Sequence, residues 1–252
     1  MGPMSHRFAD HFSRGSSDYA AFRPRYPAAL FAWLAATSPG RELAWDCATG
    51  SGQAAIGLAR HFARVVATDA SEAQIQEAEP SGAIEYRVAP ADASGLPAGT
   101  MDLVTVAQAL HWLPLDGFYA EARRVLRSGG LLAAWGYSLP VVSPGVDRAV
   151  RTLHTDVVGP CWPPGREMVE ARYAPLPFPF PEIDIPSFAI EQQMTRGAFE
   201  GYLRTWSAVR RFADSHHMDP LAMVLPDIHA AWSPDEVCAV RWPLFVRAGH
   251  RP

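Results

Sequence analysis

The run Trp45-Asp46-Cys47-Ala48-Thr49-Gly50-Ser51-Gly52-Gln53, with Thr68-Asp69-Ala70-Ser71 beyond it, restricts the possible folds of this chain more than any other feature. Leu43-Ala44-Trp45 is short and apolar, as a strand buried on both faces should be. A helix is expected from Ala54 to about Phe62. Gly50 and Gly52 allow the turn between them to be sharp and leave no Cβ in front of a ligand. Arg64 to Thr68 reads as the next strand, and Asp69 falls at its C-terminal end, where open α/β sheets place their ligands. Ser71 and Gln74 partly match a capping box, so a helix should start directly after Asp69. Strand, glycine turn, helix, strand and acid, in that order, build a nucleoside pocket, with the acid accepting both ribose hydroxyls.

Two details select among nucleosides. A pyrophosphate turn would carry a third glycine, but Ala54 and Ala55 follow Gln53. The acid Asp46 stands before the glycines, a poor neighbour for a pyrophosphate and a good one for a cation. S-adenosylmethionine carries a sulfonium and an ammonium and no phosphate. Asp46 is expected to serve the ammonium directly, through water, or by ordering the loop. A nicotinamide oxidoreductase is disfavoured on the same two grounds.

The strand-helix alternation continues. Ile84–Val88, Met101–Val106 and Leu131–Trp135 read as strands. A helix is expected from Leu115 to Leu126, ended by Ser128-Gly129-Gly130. Such alternation means a parallel, doubly wound α/β sheet. Pro27 introduces an apolar helix from Ala28 to Ala36. Ahead of it, residues 5–26 are polar, aromatic and rich in Arg, the composition of a flap; Met1-Gly2-Pro3 reads as an added tail before a native start at Met4. After Tyr137 the texture turns proline-rich. A helix is expected from Val146 to Val158, ordered loops beyond it, a strand from Ser187 to Met194, helices over Gly197–Phe212 and Pro220–Trp232, and a last strand from Val240 to Ala248.

A chain of 252 residues that is 48% hydrophobic has ample core. A net charge of −4 leaves no nucleic-acid footprint. Cys47, Cys161 and Cys238 are odd in number and far apart, giving neither a disulfide framework nor a zinc pattern, and no metal site is expected, His216-His217 included. With no bilayer-spanning run and no signal peptide, a cytoplasmic location and no membrane partner are expected.

Asp46 to Gln53, Asp69-Ala70-Ser71, Asp92-Ala93 with Leu96-Pro97, and Ala107-Gln108-Ala109-Leu110-His111-Trp112 resemble class I S-adenosylmethionine-dependent methyltransferases. The Gln-Ala-x-His-Trp pattern, Tyr19-x-x-Phe22-Arg23-Pro24-x-Tyr26-Pro27, Tyr202-Leu203-x-Thr205-Trp206-Ser207 and Trp242-Pro243-Leu244 are similar to the subgroup that includes trans-aconitate methyltransferase-like proteins. One position departs: Ala48 stands where the family has the first glycine of its loop.

The resemblance implies a seven-stranded, mostly parallel sheet with helices on both faces. Residues 4–36 would form a flap and helix, 37–138 the cofactor core, and 139–252 a lid with the last strands. It also implies roles. Asp69, with Ala70 beside it, takes the ribose hydroxyls. Asp92 accepts the adenine amino group, next to the Ala93 backbone. Ala48, Thr49, Gly50, Gly52 and Gln53 face the methionine part, and Ala107 and Gln108 lie under the sulfonium. Arg23 or Tyr19 meets the methionine carboxylate.

The reaction is an in-line displacement on an activated carbon, so the protein aligns the nucleophile and excludes water. A base is needed only for a nucleophile that carries a proton at neutral pH. By position His111 is the candidate; its plainer role is to anchor the loop or orient a neighbour. His111, Trp112, Tyr137 and Trp206 are candidates to line the pocket of a small-molecule methyl acceptor, while Trp135 is assigned to the core. Arg166, Arg172, Arg204, Arg210 and Arg211 are candidates to bind an acceptor carboxylate, most of them being surface charge. O-methylation of a carboxylate calls for an Arg turned into the pocket. N-methylation of a small heterocycle calls for stacking aromatics with a His or Gln hydrogen bond. A protein of this fold without activity would have the acceptor space above Ala107 and His111 filled. A monomer or a homodimer is expected.

Overall fold

The computed structural model describes residues 24–252; Tyr19 and Arg23 lie outside the described residues. Helix α1 (Ala28–Thr37) follows Pro27. The first half then alternates: β1 (Leu43–Cys47), α2 (Gln53–Leu58), β2 (Arg64–Asp69), α3 (Glu72–Gln76), β3 (Ile84–Val88), β4 (Met101–Ala107), a 3-10 turn at Leu110–Trp112, α4 (Leu115–Val125) and β5 (Leu126–Tyr137). The second half holds α5 (Pro144–Arg151), α6 (Arg166–Glu170), β6 (Ala189–Thr195), α7 (Arg196–Arg204), α8 (Ser207–His216), α9 (Leu225–Ala231) and β7 (Val237–His250).

The seven strands form one sheet in the order β3-β2-β1-β4-β5-β7-β6. Neighbours from β3 to β5 are parallel, and β7 runs antiparallel to both β5 and β6. The C-terminal ends of β1, β2, β3 and β4 therefore share one edge, and the strand order reverses at β1/β4. Side chains alternate across the sheet. Ala44, Ala67, Leu103, Ala133 and Trp135 join α1, α2 and much of the second half in one core. Trp45, Cys47, Val66, Val104, Val106 and Ala134 join α4 in the other.

Several boundaries differ from expectation. Helix α2 stops at Leu58 rather than Phe62. Ser128-Gly129-Gly130 does not end a helix; it lies inside β5, which starts at Leu126 where the register against β4 shifts. The helix expected over Gly197–Phe212 is two helices, broken at Thr205-Trp206, where the Thr205 hydroxyl bonds back to the Tyr202 carbonyl. The helix expected from Val146 starts at Pro144 and continues past Arg151 as a π-helical stretch, Thr152–Val157. In the proline-rich segment, expected as loop, α6 forms, started by Gly165 at φ +89°.

Candidate functional site

The loop between β1 and α2 is built by Asp46. This residue is fully buried. Its Oδ2 accepts the Thr49 hydroxyl at 2.5 Å and its Oδ1 accepts the Thr105 hydroxyl at 2.7 Å. Burial pushes its pKa up to about 6, and the nearby Asp69 carboxylate adds to the rise. Of the three expected uses of Asp46, the hydrogen bonds support the ordering of the loop, because the carboxylate ties it to β4. Thr49, expected to face the ligand, spends its hydroxyl on Asp46 for the same reason.

The loop backbone is left-handed at three places: Ala48 at φ +53°, Gly50 at +57° and Gly52 at +85°. Ala48 thus takes up the glycine-like conformation rather than displacing the loop. A Cβ at Gly52 would stand 2.4 Å from the Tyr86 hydroxyl, so only glycine fits beside that ring. The Tyr86 hydroxyl is buried and has no hydrogen-bond partner among the described residues. Gln53 donates its side-chain amide to the Pro24 carbonyl at 3.0 Å, linking the loop to the segment that precedes α1.

Asp69 sits at the end of β2. Its Oδ2 accepts the Gly50 amide and its Oδ1 the Ser71 amide, both at 2.9 Å. Ser71 caps α3 by accepting the Gln74 amide. Ala70 is exposed beside it, as are Asp92 and Ala93 in the loop after β3, where Asp92 abuts Gly117 at the start of α4. Ala107 ends β4 half-buried. Gln108 follows at φ +59°, its amide donating to the Trp135 carbonyl at 2.8 Å and its side chain lying over Gly136. Two carboxylates in one neighbourhood, a loop free of bulky side chains and no basic group among these residues suit a cationic nucleoside and repel a pyrophosphate.

Beyond β4 the chain meets the second half. The His111 ring lies 4.7 Å from Trp112 and 5.7 Å from Tyr173, and its Nδ1 is 3.1 Å from the Tyr173 hydroxyl. Burial, with the charge of Arg166, lowers its pKa to about 4. Arg166, on α6, stacks its guanidinium 4.5 Å from the Trp162 ring. Its side chain is only 25% exposed, and its nearest carboxylate, Glu170, stands 3.8 Å away. Its Nε is buried without a hydrogen-bond partner among the described residues. One terminal nitrogen lies 3.4 Å from Nε2 of His154, whose pKa burial and Arg166 also lower to about 4. The charge is felt as well at Tyr173 and Tyr202.

Trp206, expected to touch the acceptor, caps α8 in a buried cluster, 5.6 Å from Trp162 and 5.8 Å from His154. Tyr137 is half-buried at the end of β5. Of the five candidate arginines, Arg172 is exposed and Arg204 pairs with Asp219 at 3.2 Å, while Arg166 turns inward. Sequence reasoning missed Tyr173, His154, Trp162 and Tyr86. The first three lie in the proline-rich stretch or just before it, where no periodicity marks a site.

Comparison with known proteins identifies the family. A methyltransferase-domain family model matches residues 45–134. A solved structure from Anaeromyxobacter dehalogenans, described as a type II methyltransferase, is 47% identical, covers 91% of this chain and 98% of its own, and superposes with a TM-score of 0.87. A protein of Dictyostelium discoideum named as a methyltransferase is 33% identical over 230 residues, 90% of this chain and 86% of its own. A malonyl-[acyl-carrier protein] O-methyltransferase of Geobacter sulfurreducens is 36% identical over 134 residues, 48% of this chain and 49% of its own. The chain belongs to the class I S-adenosylmethionine-dependent methyltransferases. It is an enzyme of methyl transfer, with S-adenosylmethionine as its cofactor.

Proposed function

We propose that the chain O-methylates a small carboxylic acid, with Arg166 as the carboxylate's anchor. The observation that carries this reading is the inward guanidinium of Arg166, flanked by Trp162 and His154, with a buried Nε that has no hydrogen-bond partner among the described residues and only a long contact to Glu170. A buried cation with unfilled donor capacity is costly unless an anion completes it. A planar guanidinium suits a carboxylate because it can donate to both oxygens at once. The Geobacter relative, named for O-methylation of a malonyl group, supports a carboxylate acceptor by analogy.

The cofactor supplies a methyl carbon made electrophilic by its bond to a sulfonium. Asp69 is assigned to the ribose hydroxyls and Asp92 to the adenine amino group. The backbone from Ala48 to Gly52 faces the methionine part, and Ala107 and Gln108 the sulfonium. Tyr19 or Arg23 is assigned to the methionine carboxylate. Arg166 would bind and orient the acceptor while the surrounding aromatics, Trp162, Trp206 and Tyr137, exclude water. A carboxylate is already ionised at neutral pH, so an acceptor held by Arg166 would present an oxygen lone pair to the methyl carbon the cofactor supplies, the carbon–sulfur pair would leave with sulfur, and no residue of the chain would need to move a proton.

The test is a screen of small carboxylic acids and small heterocyclic amines with methyl-labelled cofactor, scored as base-labile ester or stable product. Base-labile ester from an acid is expected. Arg166→Gln should raise KM for that acid roughly 10- to 100-fold, the worth of a hydrogen bond to a charged group. Turnover of amines with none of acids would overturn the reading.

A further inference from the structure

Tyr173 is buried completely on the second half of the chain and reaches back to the loop after β4. Its backbone is left-handed, φ +60°, directly after Arg172 at φ +55°. Two consecutive non-glycine residues in that region are unusual, and such strain persists only where the surroundings fix it. The strained turn delivers the Tyr173 ring between Phe245, 5.1 Å away and perpendicular, and His111.

The hydroxyl has one proton to give. A buried hydroxyl proton without an acceptor costs about 1–3 kcal/mol. Among the described residues the acceptor within reach is Nδ1 of His111, at 3.1 Å. Were Nδ1 the protonated nitrogen, the oxygen would accept from it and its own proton would have no acceptor among the described residues. Nδ1 therefore carries the lone pair, and in a neutral imidazole the other nitrogen then carries the hydrogen.

We propose that Tyr173 is a positioning residue that locks His111 as the tautomer protonated on Nε2, so that His111 donates a hydrogen bond to the methyl acceptor and does not act as a base. The inference rests on the assignment of the acceptor to the space beside His111 and Arg166. The charged and titratable groups facing the ring are Arg166 and Tyr173. Arg166 opposes imidazolium formation, which keeps the lone pair on Nδ1 available to Tyr173 across neutral pH. An Nε2–H aimed at a carboxylate oxygen would hold it beside the guanidinium and leave its second oxygen for the methyl carbon.

Nitrogen-15 NMR of the histidine rings in the free protein tests this. The His111 signals are assigned by their loss in His111→Gln. Expected is a lone-pair shift for Nδ1 and a protonated shift for Nε2 throughout pH 6–8, becoming a mixture of tautomers in Tyr173→Phe. A protonated Nδ1 in the unsubstituted protein, an imidazolium at pH 6–8, or an unchanged spectrum in a folded Tyr173→Phe would overturn the proposal. The unsubstituted spectrum decides the tautomer even if that variant fails to fold. With the acid that turns over in the screen, the rate should be flat from pH 6 to 8. A rise through one ionisation that disappears in His111→Gln would assign His111 as a base and refute the donor role. Failure of Arg166→Gln to alter KM would sink the carboxylate reading alone, because the tautomer is read without any acceptor present.

Discussion

Ala48 holds φ at +53°, where a Cβ crowds the following carbonyl. Its neighbours in the loop with the same sign of φ are glycines, and the loop as a whole is held by Asp46 and Asp69, so the conformation is imposed on Ala48 from outside. The strain costs about 1–2 kcal/mol, and glycine gives back about 0.5–1 of that in lost chain entropy. Ala48→Gly should therefore stabilise the fold by about 0.5–1 kcal/mol in urea denaturation, with the denaturant slope unchanged. His111 and His154 give a second prediction. Both have folded pKa values of about 4, below the ordinary 6.5. Between those values the unfolded chain binds more protons than the folded one, so this contribution to stability is complete above pH 6.5 and is lost as pH falls toward 4. Asp46, raised to about 6, works in the opposite sense: its contribution is complete below the ordinary carboxylate value and is lost as pH rises to about 6. Replacing both histidines with Gln should leave a shallower loss of stability on acidification, measured by denaturation at pH 4 to 7. An unchanged slope would refute the two depressed values.

At the scale of elements, the glycine loop and β3 depend on one another. Gly52 needs both its left-handed backbone and the absence of a Cβ against Tyr86. Gly52→Ala should destabilise by about 1–3 kcal/mol, combining backbone strain with a clash. Adding Tyr86→Phe removes only the clash with the hydroxyl, so recovery should be partial; full recovery would show that φ at this position carries no strain. The same elements show how much was legible beforehand. Strands β1 to β4 read clearly because each is a short apolar run closed by turn residues, and Asp69 was placed by its strand end. Asp46 was visible as an acid beside the glycines but not as a buried one, since its burial depends on Thr105, a residue from a different strand. Ser128-Gly129-Gly130 imitated a helix stop although β5 had already begun. Helix α6 and Tyr173 were not legible, because proline-rich segments lack periodicity and the residues that fix them, His111 and Phe245, are distant in sequence. Arg166 was one name among five arginines until its stacking on Trp162 and its approach to His154 set it apart.

For the whole molecule, cofactor binding and stability are linked by mass action. A ligand at a hundred times its Kd adds about 2.7 kcal/mol, roughly 5–10 °C in Tm for a domain of this size. S-adenosylmethionine or S-adenosylhomocysteine should give that shift, and NAD none. Asp69→Ala, which removes the acceptor of the Gly50 and Ser71 amides, should keep the fold but lose most of the shift. A full shift in that variant would remove Asp69 from the ribose site.

Strand β7 lies between β5 and β6, yet it is the last of the three to be synthesised. Until residues 237–250 have left the ribosome, β5 presents an open edge and β6 has no neighbour in the sheet. In the sheet, therefore, β5 and β6 are joined only once β7 lies between them. An open edge of this kind can pair wrongly with another nascent chain. The interval between translation of β5 and of β7 is thus the period in which that edge stays open, and within the sheet the second half is secured to the first by a wedge rather than by a hinge.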